Sequence, residues 1–272
     1  MPILPRLVSL YESRGIGIAT GLDARYFDGL RHAPFTWFLK DGKSLTEGLG
    51  IALQEVYLLE CLFARFRPRS VFVIGNSLGW STLAIALTNP EAQVLAIDAG
   101  LDRHSRVGID FTNRVAAEER LTVSAAFGKS PDDVAACVAE ADLPPIEFAF
   151  IDGYHSVDQV QLDFRAVKPL AAPDCVYLFH DVAAFGLTAG IERIASENGM
   201  RWQLLLGTPS GMAIVYNPAH SPPALADIAP FIASPEAVRV LSDAAWAHRH
   251  RHLARWRRSL RKRLGRTARG SR

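Results

Sequence analysis

Apolar positions along this chain follow two periods. Between Ser44 and Phe66 they recur at Leu49, Leu53, Val56, Leu59, Leu62 and Phe63, the spacing of a helix with one buried face. Ser44-Leu45-Thr46-Glu47 has the form of a capping box ahead of that helix, and Pro68 ends it. From Val71 onward, short apolar runs alternate with helical spacing. The runs are Val71–Gly75, Gln93–Asp98, Leu121–Ala125, Ile146–Asp152 and Cys175–His180. Helices are predicted over Ser81–Thr88, Asp110–Glu119, Pro131–Ala139, Val157–Leu170 and Thr188–Asn198. Strands without polar alternation are buried on both faces, as in a parallel sheet covered by helices. Trp202–Leu206 and Met212–Tyr216 break the rhythm. Only Gly207-Thr208-Pro209-Ser210-Gly211 joins them, too little chain for a helical crossover, so this pair is antiparallel. The predicted fold is α/β: a doubly wound, Rossmann-like, seven-stranded sheet with a terminal antiparallel hairpin.

The flanks differ from this body. Residues 1–43 are irregular, with Pro2, Pro5, Pro34 and the aromatic residues Phe35, Trp37 and Phe38; they suggest a loosely structured extension or lid. Beyond Asn217, Pro218, Pro222, Pro223 and Pro230 mark a connector. Ser234-Pro235-Glu236 then starts a helix, with an N-cap and a proline in the first turn. From Ala247 to Arg272 there are eleven Lys and Arg and no Asp or Glu. The net charge of +2 therefore conceals an acidic body and a basic tail, since the whole chain holds 30 basic and 28 acidic residues. Leu253, Trp256, Leu260 and Leu264 fall at helical spacing among those arginines, which suggests an amphipathic helix for an anionic membrane surface, a protein partner, or a solvated end. Nucleic acid is disfavoured by the acidic body, and homo-oligomerisation is left open. Cys61, Cys137 and Cys175 have no metal-ligand spacing, as expected of reduced cysteines in a cytoplasmic protein. No apolar run reaches the ~18–20 residues of a membrane span.

Gly75-Asn76-Ser77-Leu78-Gly79 joins a strand to a helix and admits three chemistries. A dinucleotide fingerprint requires G-x-G-x-x-G, and Ser77 stands in place of its second glycine. The literal match G-x-S-x-G is the nucleophile elbow of an α/β-hydrolase, with Ser77 as nucleophile, but no oxyanion motif or strand precedes it. The third reading is a turn that wraps a small anionic ligand group, with glycine allowing close approach and the helix N-terminus favouring a carboxylate. Asp98 at the end of the next strand supports this reading, because an acid there accepts hydrogen bonds from ribose hydroxyls.

Val71–Ala84, VFVIGNSLGWSTLA, resembles the opening motif of small-molecule O-methyltransferases. Phe148–Ser156, FAFIDGYHS, is similar to the FIDGDHSY segment of a bacterial methyltransferase family active on sugars and antibiotics. Asp163, Tyr177–Val182 (YLFHDV) and Gly211–Tyr216 (GMAIVY) continue the likeness, which runs from about Leu45 to Tyr216. Tyr154 departs from it where the family often has Asp, and Pro173-Asp174 replaces a Pro-Gly-Gly. The resemblance implies a class I S-adenosylmethionine-dependent methyltransferase domain over 44–217, acting by O-methylation on a small molecule such as a sugar or secondary metabolite. A hydrolase, or a non-catalytic cofactor-binding protein on the same fold, are the alternatives. The cofactor residues implied are Gly75, Asn76, Ser77, Gly79, Ser81, Asp98, Ala99, Ser130, Asp152 and Gly153. Ser130 is also expected to cap the helix after it.

Asp152 and Asp181 end strands separated by one strand–helix–strand unit, and open α/β sheets bind ligands beyond those carboxyl ends. His155 and His180 accompany them. Two carboxylates with imidazole suit a divalent cation, magnesium by the oxygen-rich character of the set. Alternatively, His155 or His180 acts as a general base. Asp152 and Asp181 are the expected metal ligands, with His155, His180 and Asp181 as the expected catalytic residues.

Overall fold

Val71 and Val73 enter one hydrophobic core, Phe72 and Ile74 another, and all four are buried. That alternation is the two-residue period of a strand covered on both faces. The computed structural model describes residues 2–250. In it, β4 (Ser70–Ile74), β5 (Gln93–Asp98), β6 (Val123–Phe127), β7 (Ile146–Ile151), β8 (Ala171–Phe179), β9 (Arg201–Leu205) and β10 (Met212–Tyr216) form one sheet of order β6-β5-β4-β7-β8-β10-β9. The first five of these strands pair in parallel, while β10 runs antiparallel to both β8 and β9. Seven strands and a closing hairpin are as predicted.

On one face, α2 (Leu53–Arg65), α3 (Trp80–Thr88) and α4 (Ser105–Glu119) bury Leu59, Leu83 and Val115 against β4, β5 and β7. On the other, α5 (Val134–Glu140), α6 (Val157–Val167) and α7 (Thr188–Glu197) bury Val138, Phe164 and Ile191. The chain winds outward from β4 through β5 to β6, then returns to place β7 on the other side of β4. A crevice opens where the winding reverses, at the carboxyl ends of β4 and β7.

Residues 1–43 differ from the loose extension predicted. Residues Leu4–Glu12 form α1, and β1 (Gly17–Ala19), β2 (Trp37–Lys40) and β3 (Lys43–Ser44) form a small antiparallel sheet. Leu7, Leu10, Tyr11 and Phe38 belong to the same core as α3. Tyr11 packs on Phe38, Trp80 and Phe111, with ring centroids 5.3, 5.2 and 4.8 Å away. Its buried hydroxyl donates to the Leu78 carbonyl at 2.9 Å. Prolines and glycines hide this packing from any periodic reading.

The expected capping box also moves. Ser44 Oγ does accept from the Glu47 N–H, but Glu47 and Gly48 have φ of 50° and 85°, and no helix starts there. It begins at Leu53, where Glu55 reaches back to the Ala52 N–H at 2.7 Å. Ser130 caps no helix either: α5 starts at Val134, and Ser130 Oγ donates to Asp163 at 2.5 Å. Pro173 and Asp174 lie inside β8 rather than in a turn before it.

The chain divides into two units, up to Ile232 and from Ala233. In the second, α8 (Pro235–Arg249) starts as predicted, Ser234 Oγ accepting from the Ala237 N–H at 3.1 Å. Leu253, Trp256, Leu260 and Leu264 lie outside the described residues. No described helix is long and apolar enough to cross a membrane.

If α1 is part of the core, Leu7→Ala should cost about 2–5 kcal/mol, as for other fully buried leucines. Urea denaturation measures it; a change under about 0.5 kcal/mol would make residues 1–43 a detachable extension.

Candidate active site

After β4 the chain turns within five residues into α3. Gly75 has φ 95°, and a Cβ there would lie 2.1 Å from the Asp152 carbonyl. Gly79 has φ 81°, and its Cβ would strike Thr112 Oγ1. A Cβ on Gly108 of α4 would stand 1.7 Å from the Ser77 carbonyl. Three close approaches thus press the turn between β7 and α4, and only glycine leaves room for them.

Polar groups complete the turn. Asp98 Oδ2 accepts from the Asn76 and Ser77 N–H groups at 3.2 and 2.8 Å, and Oδ1 from the Gly100 N–H. The buried Asn76 side chain joins Thr82 and Thr112. Ser77, held at φ 43°, buries a hydroxyl that has no hydrogen-bond partner among the described residues. Ser77 therefore lacks the bonded base that an activated nucleophile requires. A recess beside the turn is walled by Gly75, Asn76, Ser77, Ser81 and Asp152, with Phe38 and Leu49–Ile51 opposite. The N-terminal segment thus contributes to the site. Of the other expected cofactor residues, Ala99 is exposed just after Asp98, and Gly153 lies under Asp163. Ser130 is joined to that same Asp163.

Next to the recess, the ends of β7 and β8 bring Asp152, His155, His180 and Asp181 together. His155 Nε2 lies 3.3 Å from both Asp152 Oδ1 and Asp181 Oδ2, and its ring stacks on Phe185 at 4.4 Å. Asp181 takes a left-handed conformation, φ 57°, which Asp tolerates better than most residues. His180 is buried. Its Nε2 bonds Glu55 Oε2 at 3.1 Å. Its Nδ1 lies 3.2 Å from Asp152 Oδ1 and 3.6 Å from Asp181 Oδ2, but makes no aligned hydrogen bond.

Glu55 was not foreseen. It is fully buried on α2 and accepts from the Ala52 N–H, the Ser210 N–H and hydroxyl, and His180. The signal was present: an acid one residue before Val56 and four before Leu59, on the apolar side of a helix, needs a buried partner.

These charges shift one another. Burial opposes ionisation of Asp152, yet His180 and His155 hold its carboxyl well below the usual range. Glu55 behaves likewise beside His180. Burial opposes the charged form of His180, but Asp152 and Glu55 raise it well above its ordinary value; His155 is raised by Asp152 and Asp181 against the same opposition.

Asp152, His155 and Asp181 each offer a donor atom within 4.8 Å of the others. His155 thus stands beside the two expected carboxylate ligands as a third donor, and the donor set would fit a divalent cation.

The linkage has a definite sign. The stability due to His155 should be complete below about pH 6.5 and fall as pH rises through its raised native value. That due to Asp152 should persist above about pH 3.8 and fall as pH drops below it. Urea midpoints from pH 5 to 9, with chelator present, should decline more steeply toward pH 9 in the wild type than in His155→Asn. Parallel profiles would remove the predicted coupling.

Residues 72–182 match the family model of a methyltransferase domain. No curated protein matches the chain significantly. Among solved structures, the O-methyltransferase TomG of Streptomyces achromogenes, involved in tomaymycin synthesis and solved with S-adenosylmethionine, is 14% identical. It covers 80% of this chain and 90% of its own, with a TM-score of 0.51. A Staphylococcus aureus protein assigned as a caffeoyl-CoA O-methyltransferase is 15% identical over 60% of this chain and 82% of its own, with a TM-score of 0.50. Residues 72–182 are thus similar to a methyltransferase domain, and the chain has the fold of these O-methyltransferases.

Proposed function

We propose that this protein transfers a methyl group from S-adenosylmethionine to a hydroxyl oxygen of a small molecule. One observation carries the reading: in a methyltransferase domain, a glycine turn built for close ligand approach opens beside the Asp152–His155–His180–Asp181 cluster. The recess beside the glycine turn, at the N-terminus of α3, suits the methionine carboxylate. Asp98 already orders that turn, and its remaining acceptor capacity suits the ribose hydroxyls. Ala99 and Ser130 border the nucleoside side in this reading, while Gly153 keeps Asp163 clear of the crevice.

S-adenosylmethionine supplies a methyl group already activated by its sulfonium, so orientation of the acceptor is the main task left to the protein. His155 is the best-placed base. It is partly open to the crevice, its ring is held by Phe185, and both aspartates stabilise the charge it gains on accepting the hydroxyl proton. In the alternative reading His155 is a metal ligand and not the base: with Asp152 and Asp181 it would hold a divalent cation, which would supply an electrophile that lowers the acceptor hydroxyl's pKa. The half-exposed segment around Phe35, whose ring meets His180 edge-on at 6.4 Å, would shape the acceptor's side of the crevice together with Phe185.

Calorimetry with S-adenosylmethionine and S-adenosylhomocysteine tests the reading, with one-to-one binding of both expected. Absence of binding at high micromolar concentration would defeat it. Asp98→Ala should weaken that binding by about 1–3 kcal/mol, through loss of charge-assisted hydrogen bonds; unchanged affinity would take Asp98 out of the site.

A peripheral membrane role for the C-terminus has its own support. No residue of α8 is buried, and Trp246 is 60% exposed. Eleven basic residues accompany or follow Trp246 without an acid. Each Lys or Arg near an anionic surface is worth about 1 kcal/mol. Removing residues 251–272 should therefore lower sedimentation with phosphatidylserine-containing vesicles while leaving cofactor affinity intact. Equal sedimentation would assign the tail elsewhere.

A further inference from the structure

We propose that His180 is a fourth ligand of the divalent cation, oriented by Glu55, and that the centre therefore takes a nitrogen-accepting metal such as manganese, iron(II), cobalt or zinc rather than magnesium. The proposal rests on the metal reading above and specifies its chemistry.

A carboxylate only accepts hydrogen bonds, so the Glu55 contact at 3.1 Å places a proton on His180 Nε2. Glu55 is not free to do otherwise. Its carboxylate is fully buried and fixed by Ala52 at the start of α2 and by Ser210 between β9 and β10. The ring is thereby pinned with Nδ1 toward Asp152 and Asp181, at 3.2 and 3.6 Å. His180 is 6% exposed, and Nδ1 has no aligned hydrogen-bond partner among the described residues. Without a cation, the charge of Asp152 compensates this nitrogen. A cation held by both aspartates would displace its proton and take its lone pair.

Metal-binding histidines almost always donate their second ring N–H to a carboxylate or carbonyl, which fixes the tautomer and increases ligand basicity. Glu55–His180 has that arrangement across three elements, α2, β8 and the β9–β10 loop. With His155, the donor set is two imidazoles and two carboxylates. Magnesium demands oxygen ligands in near-ideal octahedral geometry and keeps several waters. Imidazole instead suits the first-row transition metals and zinc. The oxygen-rich reading of Asp152 and Asp181 is thus changed by the two histidines the fold brings to them.

The test uses the full chain after chelator treatment, titrated calorimetrically with manganese, zinc and magnesium chlorides. Asp152→Asn serves as the control, because His248, His250 and His252 could bind zinc in their own right. Manganese and zinc should each bind once at the Asp152-dependent site, zinc at least about a hundredfold tighter than magnesium. Pulsed electron paramagnetic resonance of the manganese-loaded chain, with 15N-labelled histidine, should detect two coordinated imidazoles. Glu55→Gln should weaken manganese or zinc binding by about 10–100-fold, and His180→Ala should leave one imidazole. The imidazole count in the wild type decides the matter even if either variant fails to fold. Magnesium binding as tight as zinc, or fewer than two imidazoles, would overturn the His180 proposal while leaving a metal at the aspartates. Failure of every cation to bind would overturn both.

Discussion

Everything at this site depends on how closely the turn after β4 meets the turn after β7. The Asp152 carbonyl leaves no space for a side chain on Gly75; on the other side Thr112 of α4 leaves none on Gly79, and the Ser77 carbonyl leaves none on Gly108. Backbone packed so tightly at the reversal of the winding has two consequences. The amides of Asn76 and Ser77 are held by Asp98, which fixes the shape of the turn, and Asp152 is delivered to the edge of the same recess. A methyl added at Gly75 would separate the ligand turn from the acidic cluster.

The second constraint is electrostatic. Three carboxylates, Glu55, Asp152 and Asp181, share two imidazoles within hydrogen-bonding or ion-pairing distance. Burying so many ionisable groups is costly unless each finds an opposite charge, and the network meets that condition by drawing on separate parts of the chain. Glu55 comes from the helix before the first strand of the main sheet, and Ser210 comes from the closing hairpin. The hairpin that distinguishes this sheet thus also holds the acid that orients His180.

Legibility in the sequence followed the range of the interactions. The strands were readable because burial on both faces writes continuous apolar runs, and the short Gly207–Gly211 loop forced the antiparallel hairpin. The shared placement of Asp98, Asp152 and Asp181 was readable because strand ends in this topology lie along one edge. Glu55 was not, because its partners are 125 and 155 residues away. The capping box at Ser44 failed for a local reason: the bonding pattern formed, but left-handed Glu47 and Gly48 diverted the chain. The N-terminal segment was misjudged because Tyr11 and Phe38 are stabilised by Trp80 and Phe111, which no periodicity near them announces.

The central claim is that the glycine turn and the acidic cluster are two halves of one methyl-transfer site. A crystal structure with S-adenosylhomocysteine bound tests it most directly. The account predicts the homocysteine carboxylate in the recess beside the Gly75–Gly79 turn, the ribose beside Asp98, and the sulfur facing Asp152 and His155 with room for an acceptor between them. A nucleoside bound elsewhere, or a sulfur turned away from His155, would contradict it.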